Sequence, residues 1–434
     1  MAKNRKILIL ICAVSAMFTV ACSKFPFFNR GDSDQRNVLL LYSAGYNSIS
    51  SYLAEDLADL EKGLIPGSNT SANILLVYSH TRKATGYNTP NPPALYRLYK
   101  DRKGNTIKDT LKVYPKDTHS ATAEQFNEVL SYVHATFPAK SYGMVFSSHA
   151  TGYLPSGFYT NPGQYVFKEN SGIRYRQGKK AHTTNPVPYY APEFDPSHPA
   201  VKSIGQDQIG TTSNYESYEM ELSDFAQAIP MPLDYILFDA CLMGGVEVAY
   251  ELKEKCRYVG FSQAEVLAEG FDYSKLAQHL IGSDTPDPKS VCDDYFQQYD
   301  VQTGLYRSAT ISMIDCSRIE PLADICATLF EKYRKEISQL DPKEIQQFFR
   351  SKYHWFYDLE DIIAKAGATE DEMRQLQVAL SDCVVYKAAT PSFMESFDIN
   401  IFSGFSMYLP CNGSKELDKF YQTLEWNKAT SLVQ

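Results

Sequence analysis

The chain has 434 residues, 44% of them apolar and 21% charged, with 42 Lys and Arg against 51 Asp and Glu. That globular composition excludes wholesale disorder, collagen-like repeats and a disulfide-dense miniature fold. A formal charge of −9, with no basic run beyond the extreme N-terminus, excludes nucleic acid as a partner held through phosphates.

The first element is a leader. Lys3, Arg5 and Lys6 precede an apolar run from Ile7 to Ala21, and Cys22 follows. As a helix, that run would rise roughly 22 Å, short of the ~30 Å hydrocarbon core. Residues 1–21 therefore read as a cleaved export signal rather than a spanning helix. The Val-Ala-Cys ending resembles a bacterial lipoprotein signal, in which Cys22 becomes the acylated first residue and its chains anchor the protein by burying CH₂ groups. An ordinary secretory signal with an incidental cysteine is the plain alternative. The expected location is the bacterial cell envelope, on its periplasmic face or at the cell surface.

Residues 22–36 read as a tether. Val38–Tyr42 and Ile74–Tyr78 are short apolar runs suited to buried parallel strands. Between them Ser51–Lys62 places Leu53, Leu57 and Leu60 on one helical face. Residues 79–117 suggest a long hairpin or loop. Thr122–Phe137 is a predicted helix, with Thr122 as N-cap and Phe126, Leu130 and Val133 inward. Tyr142–Ser147 is the third strand. Residues 153–215 look loop-like, before a helix at Leu222–Ile229, a strand at Tyr235–Phe238 and a helix at Gly244–Lys255. Two more strands are expected at Tyr258–Ser262 and Ser308–Ile314. From Cys316 to Ser381 the pattern turns helical, ahead of a strand-like return at Phe402–Leu409. This alternation specifies an α/β fold with a mainly parallel sheet. The division expected is a catalytic domain over 37–315 and a largely helical C-terminal subdomain over 316–434.

Nine cysteines occur, and seven remain once Cys12 and Cys22 are set aside. Seven is odd, no C-x-x-C pair exists, and the spacings fit neither a zinc site nor a disulfide framework. At least one thiol stays unpaired. In open α/β sheets, chemistry sits beyond the carboxyl ends of the strands. Strand Tyr142–Ser147 runs into Ser148-His149-Ala150, and strand Tyr235–Phe238 runs into Asp239-Ala240-Cys241 and then a helix. A cysteine at such a junction lies near the positive end of the helix, which favours thiolate. If the two strands are neighbours, His149 and Cys241 face one crevice as base and nucleophile. Against this stand two plain readings, a buried inert thiol and a structural histidine. His80, at the end of another strand, is the nearest rival base.

These residues carry a resemblance. The stretch YEMELSDFAQAIP…LDYILFDACLMGGVEVAYELKE resembles the catalytic region of the clostripain family of cysteine peptidases. GMVFSSHATGYLP resembles that family's histidine segment, and TISMIDCS and SGFSMYLP its later strands. The resemblance spans roughly residues 37–410. It implies a caspase-like α/β/α sandwich, Cys241 as nucleophile and His149 as its base. It also implies an oxyanion hole from the Ala150 and Cys241 amides. Alanine stands at 150 where relatives often have glycine, but it keeps the N–H that matters.

By the same resemblance Asp239 would sit in the primary specificity pocket and pair with Arg or Lys of the substrate. Its local alternative is to satisfy backbone amides at the junction. Gln263 and Glu265 are expected to line the same pocket. Segment 153–215 holds Lys168, Arg174, Arg176, Lys179, Lys180 and Lys202, where self-cleavage would fit an Arg/Lys-specific enzyme. The chemistry needs no cofactor and no metal. Calcium serves some relatives, but no calcium loop is legible. The expected partners are a protein or peptide substrate and, through Cys22, a membrane, with the protein itself a monomer. The competing function is a lipid-anchored binding module on an inactive peptidase fold, built from loops rich in the chain's 31 Tyr.

Overall fold

The computed structural model describes residues 35–68, 71–82, 90–158, 187–188, 198–202, 207–211, 214–350 and 354–434. The expected export signal, Cys22 and all but the end of the expected tether lie outside the described residues. Arg36 is already fixed, its guanidinium donating to the Ala72 and Pro138 carbonyls. Among the described residues no helix is long and apolar enough to cross a membrane.

The first half of the chain forms β1 (Asn37–Ala44), α1 (Ser50–Lys62), β2 (Ile74–His80), β3 (Ala94–Lys100), β4 (Thr106–Val113), α2 (Ala123–Thr136) and β5 (Ser141–Ser147). After the long intervening segment come α3 (Leu222–Ala228), β6 (Leu233–Asp239), α4 (Val246–Leu252), β7 (Cys256–Phe261), α5 (Tyr273–Ile281), α6 (Pro288–Asp300) and β8 (Thr310–Asp315). Helices α7 (Glu320–Lys332), α8 (Leu359–Lys365) and α9 (Glu370–Cys383) precede β9 (Val384–Ala389). Thr122 caps α2 as its sequence predicts, its hydroxyl accepting from the Gln125 N–H.

One sheet runs in the order β9-β8-β7-β6-β5-β1-β2-β3-β4. Strands β7, β6, β5, β1 and β2 are mutually parallel, and both edges are finished by antiparallel pairs. Every residue of β1 and β5 is buried, as continuous apolar runs in a doubly covered sheet require. The chain leaves β1 in one direction for β2 and later returns on its other side through β5. That reversal opens a crevice above the carboxyl ends of β1, β5 and β6.

Side chains alternate between the two faces. Tyr42, Tyr78, Phe146 and Phe238 meet Phe126 of α2 and Phe225 of α3 on one face, with ring centroids 4.5–6.1 Å apart. Each such ring, fully buried, stabilises the fold by roughly 1.5–3 kcal/mol. Asp239 and Ser147, one residue further along, point to the other face, where Tyr273 of α5 reaches Asp239.

The C-terminal half departs from expectation in two places. The strand predicted at Phe402–Leu409 shrinks to Ser406–Met407, paired with Tyr357–Asp358, because Gly404 at φ +99° breaks the extended run. The strand that joins the main sheet is instead β9, antiparallel to β8. The helical pattern ends at Ser381, and residues 384–389, which follow α9 with no glycine or proline between, have no element assigned from the sequence. The C-terminal residues also pack under the site: Ser406 N–H donates to the Gly244 carbonyl, and Trp426 lies edge-on to Tyr250.

Candidate active site

Strands β5 and β6 lie side by side with Ser147 opposite Asp239. Two residues beyond each, His149 and Cys241 leave the sheet at equivalent positions. Their loops touch. Gly152 has φ +64°, and a Cβ there would fall 2.4 Å from the Leu242 carbonyl oxygen. Leu242 itself has φ +61°, a left-handed conformation unusual for leucine. The turn is held by hydrogen bonds from Leu242 N–H to the Ala264 carbonyl (2.9 Å) and from Gly244 N–H to the Ser262 carbonyl (2.7 Å). A sharp, pinned turn thus sets the direction of the cysteine.

Cys241 has no exposed surface. Its sulfur accepts from the Val266 N–H at 2.9 Å and lies 3.6 Å from the Val266 carbonyl. Burial, and next the Glu265 carboxylate, push its thiol well above the usual range. The thiolate expected from a helix N-terminus is therefore not what this arrangement favours. The physical reason is burial, which outweighs any help from α4, a helix that begins only at Val246. His149 is also buried, with Nε2 2.9 Å from the Ser48 hydroxyl. Burial pushes the imidazole down to about 4; the Lys202 and Arg82 charges act the same way, and the Lys202 main chain opposes them. At neutral pH the two groups are a thiol and a neutral imidazole, not an ion pair.

What buries them is the chain itself. Val201 bridges Leu267 in antiparallel fashion, the Ala268 N–H donates to the Ala200 carbonyl (2.9 Å), and the Lys202 N–H donates to the Val266 carbonyl (2.8 Å). Residues 200–202 therefore lie as an added strand along the segment that follows β7. The Lys202 side chain is fully buried. Its ammonium is ion-paired with Asp239, lies 3.2 Å from the Asp56 carboxylate and donates to the Ser147 hydroxyl at 3.3 Å. Burial would lower the ammonium, but Asp239 and Asp56 outweigh it and hold Lys202 charged. Tyr273 and Ser147 donate their hydroxyls to Asp239 at 2.6 and 2.9 Å.

Gln263 and Glu265 have partners of their own. Gln263 donates to the Ser312 hydroxyl and the Gly404 carbonyl, tying β7 to β8 and the loop behind it. Glu265 pairs with the Arg350 guanidinium at 2.7 and 3.2 Å. Sequence reasoning missed two residues, Asp56 beside the Lys202 ammonium and Ser48 beside the His149 ring. Asp56 carried a signal: it shares the face of α1 that holds Leu53 and Leu60, where an acid is out of pattern. Ser48 carried none.

His80 is spent on the Ser120 hydroxyl at 2.6 Å, on the aromatic face. The seven described cysteines are all free thiols. Among the described residues no group of three or more His, Cys, Asp or Glu side chains is placed to hold a metal ion. A recess is lined by His149, Ala150, Leu154 and Met243 together with Phe146 and Phe238.

Comparison with known proteins gives the arrangement a family. Residues 41–172 and 192–433 match the model of the clostripain family, peptidases of type C11. Among solved structures, an inactive zymogen C11 protease from Parabacteroides distasonis is 25% identical, with a TM-score of 0.68 over 92% of this chain and 98% of that one. A secreted C11 cysteine protease from Bacteroides thetaiotaomicron is 23% identical, with a TM-score of 0.67 over 92% and 99%. The same type of protein from that organism in complex with an irreversible peptide inhibitor has a TM-score of 0.66 at 22% identity, again over 92% and 99%. A comparison with curated proteins finds no match. With the match spanning most of its length, this chain belongs to the clostripain family of cysteine proteases.

Proposed function

We propose that the protein is an endopeptidase that cuts after basic residues through Cys241 and His149, and that the form described here is latent, with residues 198–202 lying in the substrate cleft. One observation carries this reading: Lys202 combines strand-like main-chain pairing on Val266 with a side chain ion-paired to Asp239. A substrate bound by β-addition would make those same two kinds of contact, main chain for affinity and a charged pocket for specificity. The zymogen state named for the P. distasonis relative accords with such latency.

In the reaction, the Cys241 thiol passes its proton to His149 and the sulfur attacks the carbonyl carbon of the basic residue. The Ala150 and Cys241 amides would hold the oxyanion of the tetrahedral intermediate. His149 returns the proton to the leaving amine, the C–N bond breaks, and water activated by His149 then hydrolyses the thioester. Ser48 fixes the imidazole through Nε2. The lipid anchor at Cys22 and the envelope location complete the proposal; they rest on the leader sequence.

A peptidyl electrophile ending in Lys or Arg tests the reading. Labelling that disappears in Cys241→Ala is expected. Failure to label with any terminal residue, after the chain has been given time to process, would favour the inactive binding module instead.

A further inference from the structure

We infer that Asp56 is a second carboxylate of the specificity pocket, and that Asp56 and Asp239 together make the pocket select lysine over arginine. The inference deepens the proposed function and rests on its reading of Lys202 as the residue before the cut.

Three acceptors converge on the Lys202 ammonium: one Asp239 oxygen, one Asp56 oxygen and the Ser147 hydroxyl. An ammonium has three N–H donors, so the count matches. The acceptors come from β6, α1 and β5, three separate elements, and both acids are buried. The Asp239 oxygen is itself positioned by the Tyr273 and Ser147 hydroxyls.

The far wall closes the pocket at this depth. Gly270, at φ +63°, presents bare main chain; a Cβ there would lie 2.6 Å from the Lys202 nitrogen and 2.5 and 2.6 Å from the two Asp239 oxygens. That wall is fixed, because the Gly270 N–H donates to the Leu267 carbonyl at 2.9 Å and its carbonyl accepts the Tyr299 hydroxyl at 2.9 Å. A guanidinium is a broad plane with five donors in a fixed fork. It needs coplanar acceptors and more depth, whereas here the acceptors surround a point and backbone stands behind it.

The test compares two fluorogenic peptides that differ only in Lys or Arg before the cut, using the full chain incubated until its activity is constant. The wild type is expected to prefer lysine by about tenfold or more in kcat/KM. Asp56→Asn, which keeps the shape and removes the charge, should lower lysine cleavage about 30-fold or more and bring the two peptides within about threefold of each other. Asp239→Asn should depress both. Equal cleavage of the two peptides by the wild type, or an unchanged preference in Asp56→Asn, overturns this inference and leaves the peptidase reading standing. Cleavage of neither peptide overturns the peptidase reading and this one with it. The wild-type ratio needs no variant, so it decides even if Asp56→Asn folds poorly.

Discussion

The Lys202 ammonium is ion-paired with Asp239, two residues before Cys241, and neither side chain has any exposed surface. Two charges are taken out of water only when each has the other, so this pair holds the segment carrying Lys202 against the sheet, at the feature proposed to recognise a substrate. Self-cleavage should follow from this geometry. Wild-type chain is expected to convert to two fragments with a new N-terminus at Ser203, while Cys241→Ala remains a single band. Lys202→Ala should slow conversion by about 100-fold, as expected for removing one partner of a buried charge pair. Mass spectrometry of the fragments checks this; unchanged conversion of Lys202→Ala, with a cut elsewhere, would discount Lys202 as the site.

Thiol reactivity offers a second check. With its pKa pushed up, Cys241 is protonated at neutral pH, and its thiolate fraction grows about tenfold per pH unit. Alkylation of Cys241 in uncleaved chain should therefore climb steadily from pH 7 to 9, read by peptide mapping. A rate already level below pH 8 in the uncleaved chain would mean a preformed thiolate.

On the proposed mechanism, Ser48 acts through His149 and not through substrate. Loss of the imidazole in His149→Ala should cost about 10²–10⁴-fold in kcat. Ser48→Ala should cost about tenfold in kcat with KM unchanged, since the 2.9 Å bond orients the ring without touching the peptide. A change confined to KM would place Ser48 in binding instead.

Glu247 ties the start of α4 to the C-terminal residues, accepting from the Tyr408 N–H (2.9 Å) and the Tyr421 hydroxyl (2.7 Å). Burial pushes its carboxyl up to about 7. A carboxyl raised on folding keeps its proton while the unfolded chain loses one, so stability falls as pH rises from about 4 to 7. The shift corresponds to about 3 kcal/mol. Glu247→Gln, which cannot titrate, should flatten this dependence, measured as denaturant midpoints at pH 5 and pH 8. Parallel profiles for the two proteins would remove Glu247 as the titrating group.

Much of the parallel sheet was legible because its strands are continuous apolar runs bounded by turns, and burial on both faces demands such runs. His149 and Cys241 were legible for a related reason: each follows such a run, and the carboxyl end of a parallel strand is where a side chain leaves the sheet. The pocket was less so. Gln263 and Glu265 follow a strand as well, yet their side chains turn to Ser312, Gly404 and Arg350, partners from distant parts of the chain. Asp56 joins Asp239 across 183 positions of sequence because α1 packs beside the carboxyl end of the sheet.

The amino-acid order by itself determined the α/β class and the strand ends that His149 and Cys241 follow, since these come from local periodicity and from which residues interrupt it. Only the tertiary structure decided their state: that Cys241 is a buried thiol, that His149 is neutral, and that Lys202 fills the acidic pocket. Ionisation depends on solvent exclusion and on charges brought close by folding, and neither is a property of neighbours along the chain.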